Sequence, residues 1–70
     1  MEKLTKDQSK AFVFESLSNY SKFQKWRLGQ SYFNTLYTMH PEIANEVRGT
    51  EYSPYYDDKI IDKFLDYITL

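Results

Sequence analysis

The spacing of apolar residues along the chain predicts helices throughout. Thr5 and Gln8 match a capping box, in which two side chains three residues apart bond each other's backbone N–H groups. A first helix is therefore predicted over residues 6–18, with a break at 19–21. Its apolar positions recur at three- and four-residue intervals, as in a buried stripe. We expect this stripe to face the core: Val13, Phe14, Leu17 and Tyr20, with the stem of Lys10.

A second helix is predicted over residues 22–39, because Ser21 and Gln24 repeat the capping-box pattern. On a helical wheel, its apolar side chains fill about half of the circumference. An arc that broad exceeds what one partner helix covers, so we expect this helix to be central and contacted on two sides. The opposite arc is polar: Arg27, Gln30, Ser31, Asn34 and Thr38.

A short third helix is predicted over residues 41–48. Pro41 disfavours continuation of the second helix at His40 and suits the first turn of a new one. Gly49 follows as a C′ glycine, with Arg48 in the last turn. The side chains expected to point inward are Ile43, Ala44 and Val47.

The chain then forms a predicted loop over residues 50–56, interrupted by Pro54, before a fourth helix over 58–69. Asp57 or Asp58 would cap this helix. Its apolar positions show the clearest periodicity in the chain: Ile60, Ile61, Phe64, Leu65 and Ile68. The predicted fold is therefore all-α, a small compact bundle of four helices in a single domain spanning residues 1–70.

Gly29 stands inside the predicted second helix, where glycine costs about 1 kcal/mol relative to alanine. It falls on the apolar arc, so we expect another helix or an aromatic ring to approach the backbone there, with a kink as the alternative. Arg27, Gln30 and Asn34 follow one polar line. We expect Arg27 and Asn34 to hold the 50–56 loop by hydrogen bonds. A purely solvated face is the second interpretation of this polar line, and ligand recognition is the third.

Aromatic residues dominate the composition, with thirteen in 70 residues, seven of them Tyr. Each enclosed aromatic side chain buries about 150–250 Å², which helps so short a chain to form a core. Tyr is also enriched at interfaces. We expect a protein-binding surface made of the loop tyrosines and the polar line: Tyr52, Tyr55, Tyr56, Arg27, Gln30 and Asn34. The small core and large aromatic surface are also compatible with a homodimer.

Residues that usually carry catalysis are scarce. The chain has no cysteine and a single histidine, His40, and it lacks a Gly-rich phosphate loop or a metal-spaced cluster. Asp57, Asp58 and Asp62 do not have the spacing of an EF-hand loop. We therefore predict a protein that is not an enzyme and that uses no metal or cofactor.

The charge is unevenly distributed around a net value of −1. Residues 1–30 carry six basic and three acidic groups (+3), and residues 31–70 carry three basic and seven acidic groups (−4). Lys22, Lys25 and Arg27 form a modest basic patch, which makes nucleic-acid binding the second hypothesis. No apolar segment approaches the length of a membrane span or a signal peptide, so a cytoplasmic protein without membrane contact is expected.

Several short motifs occur in a fixed order from Arg27 onward. They are Arg27-Leu28-Gly29-Gln30 with Asn34 and Leu36, then Pro41, Arg48-Gly49-Thr50 and Pro54-Tyr55-Tyr56-Asp57. This order resembles a family of small uncharacterised proteins of bacteriophages, prophages and their hosts, with the pattern R-x-G-Q-x-x-x-N-x-L, a proline, R-G-T and a proline-aromatic turn. Ser53 departs from the aspartate usual before that proline. The resemblance implies a phage accessory protein that binds a host protein, and inhibition of a defence or regulatory factor is one way in which it would act.

Overall fold

The computed structural model describes all 70 residues and consists of four α-helices. They are α1 (Lys6–Lys22), α2 (Leu28–Met39), α3 (Pro41–Val47) and α4 (Ile61–Ile68), and a 3-10 turn (Asp58–Ile60) leads into α4. The predicted all-α class, with a short third helix, is confirmed. No helix has both the length and the apolar character that crossing a bilayer requires.

Three of the local sequence signals for helix ends act as predicted. At the start of α1, the Thr5 hydroxyl accepts the Gln8 N–H (3.1 Å) and the Gln8 side chain accepts the Thr5 N–H (2.9 Å). Pro41 occupies the first turn of α3. Just past α3, Gly49 has a φ of 79°, in the left-handed region where a side chain would be strained.

The boundary between the first two helices lies later than predicted. α1 continues to Lys22 instead of ending at Ser18, and α2 begins at Leu28 instead of residue 22. Asn19 does not break the helix, because its side chain donates a hydrogen bond to the Thr35 hydroxyl of α2 (3.0 Å). Because the Asn19 side chain bonds Thr35 of another helix, it does not compete for the hydrogen bonds of its own helix backbone.

A tight turn replaces the predicted first turn of the second helix. Its Trp26 N–H donates to the Phe23 carbonyl oxygen (2.9 Å), and the two rings stack with centroids 4.3 Å apart. Ser21 lies within α1, so the predicted Ser21–Gln24 capping box does not form. Arg27 precedes α2 as its N-cap, in an extended conformation.

The predicted core face of α1 is wrong. Phe14, Leu17 and Tyr20 are 74%, 47% and 44% exposed, and the buried residues of this helix are Phe12 and Ser16. Phe12 is the fully buried apolar residue of α1, Val13 packs against the core from a half-buried position, and the other fully buried residue, Ser16, is polar. Apart from Val13, the apolar residues of the predicted face therefore lie on the side of α1 that points away from the core.

Small polar side chains account for the burial pattern between α1 and α2. The buried Ser31 hydroxyl donates to the Ser16 carbonyl oxygen, and the Ser16 hydroxyl donates to the Phe12 carbonyl oxygen, each at 2.8 Å. Because these bonds satisfy the polar atoms, the two helices can pack closely where the serines meet. Ser31, predicted to lie on a polar arc, is thus part of the helix interface.

α2 is the central helix, as predicted. It packs against α1, α3 and the 3-10 turn. Edge-to-face aromatic contacts join α2 to the rest of the hydrophobic core. The ring centroid of Phe12 lies 5.8 Å from that of Tyr32 and 6.1 Å from that of Phe64. The buried apolar residues are Leu4, Phe12, Tyr32, Phe33, Leu36, Ile43, Ala44, Val47, Phe64 and Ile68.

The two ends of the chain meet, which the sequence analysis did not anticipate. Leu4 is almost fully buried; its N–H donates to the Ile68 carbonyl oxygen (2.8 Å) and its carbonyl oxygen accepts the Leu70 N–H (2.9 Å). Thr69 pairs with Leu4 in an isolated parallel bridge, so α4 ends at Ile68 instead of residue 69. This contact anchors α4 beside the start of α1.

Burial of Tyr32 predicts a loss of stability at high pH. Its burial, together with the charge of Asp62, raises the pKa of Tyr32 above the ordinary 10.0. The unfolded chain then releases this proton first, so the stabilisation is complete below about pH 10 and is lost as the pH rises through the folded-state pKa. Denaturant unfolding at several alkaline pH values should show that the free energy of unfolding falls less steeply with pH for Tyr32→Phe than for the wild type. Identical declines would contradict the assignment to Tyr32.

Candidate functional site

The loop after α3 is held against the N-terminal end of α2. The Arg27 guanidinium donates a hydrogen bond from Nη2 to the backbone carbonyl oxygen of Tyr55. Residue 27 is 28 positions away from residue 55 along the chain, so this bond fixes a long-range contact. The expectation that Arg27 holds the loop through a carbonyl group is confirmed.

Gly29 lies where the loop backbone comes closest to α2. A Cβ at this position would lie far closer to the Pro54 carbonyl oxygen than van der Waals contact allows, and 2.8 Å from Oδ1 of Asp58. Pro54 is itself buried. The expected close approach at Gly29 is therefore present, but a loop carbonyl and a carboxylate make it, not a helix or an aromatic ring.

The carboxylate of Asp58 caps α2 from a distant part of the chain. Its Oδ1 accepts the backbone N–H of Gly29 at 2.8 Å. The first turn of α2 contains no acidic residue, and Arg27 makes no side-chain capping bond. Asp58 thus satisfies a free N–H and places negative charge at the positive end of the helix dipole.

Asp57 has the local role predicted for it. Its carboxylate accepts the Lys59 N–H (2.9 Å) and so caps the 3-10 turn that leads into α4. Of the two adjacent aspartates, one therefore starts its own helix and the other caps α2. Sequence spacing could identify the first role but not the second, because the second depends on a contact 29 residues away.

The loop tyrosines have three different environments. Tyr55 is half-buried and meets Phe33 edge to face, with centroids 5.7 Å apart. Its hydroxyl also accepts a long hydrogen bond from Nε2 of Gln30 (3.4 Å). Tyr52 stacks flat on Tyr67 of α4 at 4.1 Å. Tyr56 meets only the edge of Tyr55 among aromatic rings and is 86% exposed.

Asn34 does not hold the loop, which corrects the prediction. No side-chain hydrogen bond joins it to residues 50–57; it lines an open groove of about 410 Å³ between α1 and α2, with Phe23 and Trp26. The reason is the start of α2 at Leu28. Asn34 lies six residues along that helix, or about 9 Å from the end that the loop contacts.

The segment from Arg48 to Thr50 directs the chain from α3 into the loop. The Arg48 guanidinium lies over the Tyr37 ring at 5.3 Å, within the range of a cation–π contact. The Thr50 hydroxyl donates to the Val47 carbonyl oxygen (2.6 Å) and accepts the Tyr52 N–H (3.2 Å). With the positive φ of Gly49, these contacts fix the exit from α3.

Four predicted site residues therefore come together, and we call them the loop surface: Arg27, Gln30, Tyr55 and Tyr56. Tyr52 lies apart against α4, and Asn34 lies in the α1–α2 groove. The sequence analysis missed Pro54 and the α2-capping role of Asp58. Gly29 was the only sequence signal for both Pro54 and Asp58, because a glycine that costs helix stability implies that another group occupies the position of its missing side chain.

The loop surface presents groups that can form hydrogen bonds and aromatic contacts. Its groups are aromatic rings, an amide and backbone amides and carbonyls, and no three His, Cys, Asp or Glu side chains in the chain converge to hold a metal ion. All three cations of the basic patch are exposed, but one of them, Arg27, is engaged by the Tyr55 carbonyl. Comparison of the chain with protein-family models, with curated proteins and with solved structures found no match.

Gly29→Ala should destabilise the protein by several kcal/mol. In an ordinary helix this change stabilises by about 1 kcal/mol, but here the new methyl group would displace the Pro54 carbonyl and Asp58. Chemical denaturation measures the difference. A variant as stable as the wild type, or more so, would contradict the close approach of the loop.

Asp58→Ala should cost about 1–2 kcal/mol of unfolding free energy, as for other lost N-caps. The unfolding free energy of Asp58→Asn should lie between those of the wild type and Asp58→Ala, because asparagine keeps an acceptor oxygen but loses the charge that favours the helix dipole. Asp66→Ala is the matched control, since Asp66 is exposed on α4 and should change stability by less than about 0.5 kcal/mol. Equal effects of the Asp58 and Asp66 substitutions in denaturation curves would refute the capping role.

Proposed function

We propose that this chain is a non-catalytic accessory protein of the phage type that binds a protein of the host cell through the loop surface. The observation that carries the proposal is the exposure of Tyr56, whose ring is 86% accessible on a loop that is anchored at several points. Large aromatic side chains are enriched among residues that dominate binding energy. A ring this exposed adds little to the folded core, which leaves recognition as its best-supported role.

The anchoring of the loop strengthens the proposal. Binding costs free energy for each flexible group that must be ordered, and a preorganised group avoids that cost. Arg27 bonds the carbonyl of Tyr55, Pro54 is buried, and Tyr55 rests on Phe33. Tyr56 therefore projects from a backbone fixed on its N-terminal side by its immediate neighbour.

The kind of partner follows from the motif order described above. Its resemblance to bacteriophage and prophage proteins supports a host protein in the cytoplasm of the infected cell as the target. Binding of this kind could inhibit a defence or regulatory factor, since a 70-residue chain can act by covering a surface on its partner. The proposed partner surface presents a pocket for one tyrosine ring and a polar rim for Gln30.

Nucleic-acid binding through Lys22, Lys25 and Arg27 is the alternative, and the structure offers no specific support for it. Arg27 donates to the loop and is therefore only partly available to a phosphate. The acidic second part of the chain also opposes a polyanion. Protein binding remains the function that the geometry supports best.

A photo-crosslinking amino acid in place of Tyr56 should capture a discrete host protein in bacterial cells, identified by mass spectrometry. The same amino acid in place of Lys63, an exposed position on α4, is the matched control and should not capture it. Identical products from both positions would contradict a specific site at Tyr56.

Tyr56→Ala should weaken binding to the captured protein at least tenfold, measured by calorimetry with purified components. Tyr56 is the informative target because Tyr55 also packs on the core. Arg27→Ala should weaken binding less, because it loosens the loop without removing the anchor ring. Unchanged affinity of Tyr56→Ala would overturn the proposed function.

A further inference from the structure

The side chains of Gln30 and Tyr55 form a hydrogen bond with a defined direction. Nε2 of Gln30 carries hydrogen and has no lone pair to offer, so it is the donor, and the Tyr55 hydroxyl oxygen accepts at 3.4 Å. The Tyr55 ring makes edge-to-face contacts with Phe33 and Tyr56, with centroids 5.7 and 4.8 Å apart. These contacts and the bond from Gln30 give the hydroxyl a definite place on the loop surface.

This direction leaves the hydrogen of the Tyr55 hydroxyl without an acceptor in the chain. A phenol has a single O–H donor, and the bond accepted from Gln30 is the one hydrogen bond that this hydroxyl makes. Water can take the hydrogen while the loop surface is free. A protein that covers the loop surface displaces that water, and a donor then left unpaired costs binding free energy. A well-matched partner therefore supplies an acceptor at this point.

The charges that flank the two loop tyrosines have both signs. Arg27 bonds the Tyr55 carbonyl, and residues 57–59, directly after Tyr56, are Asp, Asp and Lys. Because neither sign dominates, a neutral acceptor matches this surface better than a carboxylate. We propose, on the basis of the proposed function, that the bound host protein places a carbonyl oxygen, from its backbone or from an Asn or Gln side chain, where the Tyr55 hydroxyl donates to it. Gln30 is then a positioning residue that directs this hydroxyl outward.

Tyr55→Phe removes the hydroxyl and keeps the ring that packs on Phe33. Its affinity for the host protein captured at Tyr56, measured by calorimetry with purified components, should fall about tenfold, because the carbonyl oxygen of the partner is then buried without a donor. Tyr52→Phe is the matched control and should bind as the wild type does, since its ring stacks on Tyr67 away from the loop surface. Wild-type affinity of Tyr55→Phe would overturn the proposal.

Two substitutions of Gln30 test the direction of the bond. Gln30→Glu introduces a carboxylate, which cannot donate and instead accepts the Tyr55 hydroxyl hydrogen, so the hydroxyl is turned away from the partner. Gln30→Met removes the donor without offering a strong acceptor, and the hydroxyl stays free to donate outward. Affinity should therefore fall about tenfold for Gln30→Glu and much less for Gln30→Met. Equal losses from both substitutions would show that Gln30 only supports the ring, and would refute the outward donor.

A double variant separates the loss of the donor from an effect of the new charge. In the Tyr55→Phe background, Gln30→Glu should cause no further loss of affinity, because the hydroxyl that it redirects is already absent. A further loss as large as that in the wild-type background would contradict the proposal. Glu and Met are both good helix formers, and chemical denaturation verifies that each variant folds.

The outcomes distinguish this proposal from the proposed function. Tyr56→Ala removes the anchor ring and tests host-protein binding alone. If Tyr56→Ala weakens binding and Tyr55→Phe does not, binding through the loop surface stands and the carbonyl oxygen opposite Tyr55 is refuted. If no host protein is captured at Tyr56, or if Tyr56→Ala binds as the wild type does, both proposals fall.

Discussion

The contact between the first turn of α2 and the loop after α3 constrains the rest of the structure. At Gly29 the α2 backbone receives the Pro54 carbonyl oxygen on one side and donates its N–H to Asp58. This geometry requires that α2 begin at Leu28, that residue 29 lack a side chain, and that the loop run across the helix end. The cost of a glycine inside a helix is offset by the capping bond from Asp58 and by the burial of Pro54. A residue larger than glycine at position 29 would prevent both contacts.

Two consequences follow for the remainder of the molecule. With its N-terminal end occupied by the loop, α2 turns its serine and threonine side toward α1, where Ser31 bonds the Ser16 carbonyl. Its aromatic side then forms the main core with Phe12 and Phe64. The same contact that caps α2 also holds Tyr55 in place, so the stability of the bundle and the presentation of Tyr56 depend on one junction.

Three local sequence signals correctly predicted helix ends, whereas a fourth, the Ser21–Gln24 pair, does not cap a helix. The Thr5–Gln8 capping box, the Pro41 start and the Gly49 end involve residues within a few positions of each other, and all three are present. The face of α1 could not be predicted in this way, because burial of Phe12 instead of Phe14 depends on which side α2 approaches. Periodicity alone cannot distinguish a stripe that meets the core from one that stays exposed. Likewise, Arg27 was correctly linked to the loop, whereas Asn34 was misplaced by an error of six residues in the start of α2.

The proposed function rests on a loop that is fixed before any partner arrives, and backbone dynamics measure that property directly. ¹⁵N relaxation of the Tyr55 and Tyr56 amides should give order parameters of about 0.85, the value of rigid backbone, as in the helices. This result is predicted because Arg27, Pro54 and Asp58 tie the segment to α2. Order parameters below about 0.6 for these two amides, with rigid helices on either side, would contradict the central claim that the α2 junction preorganises the loop surface.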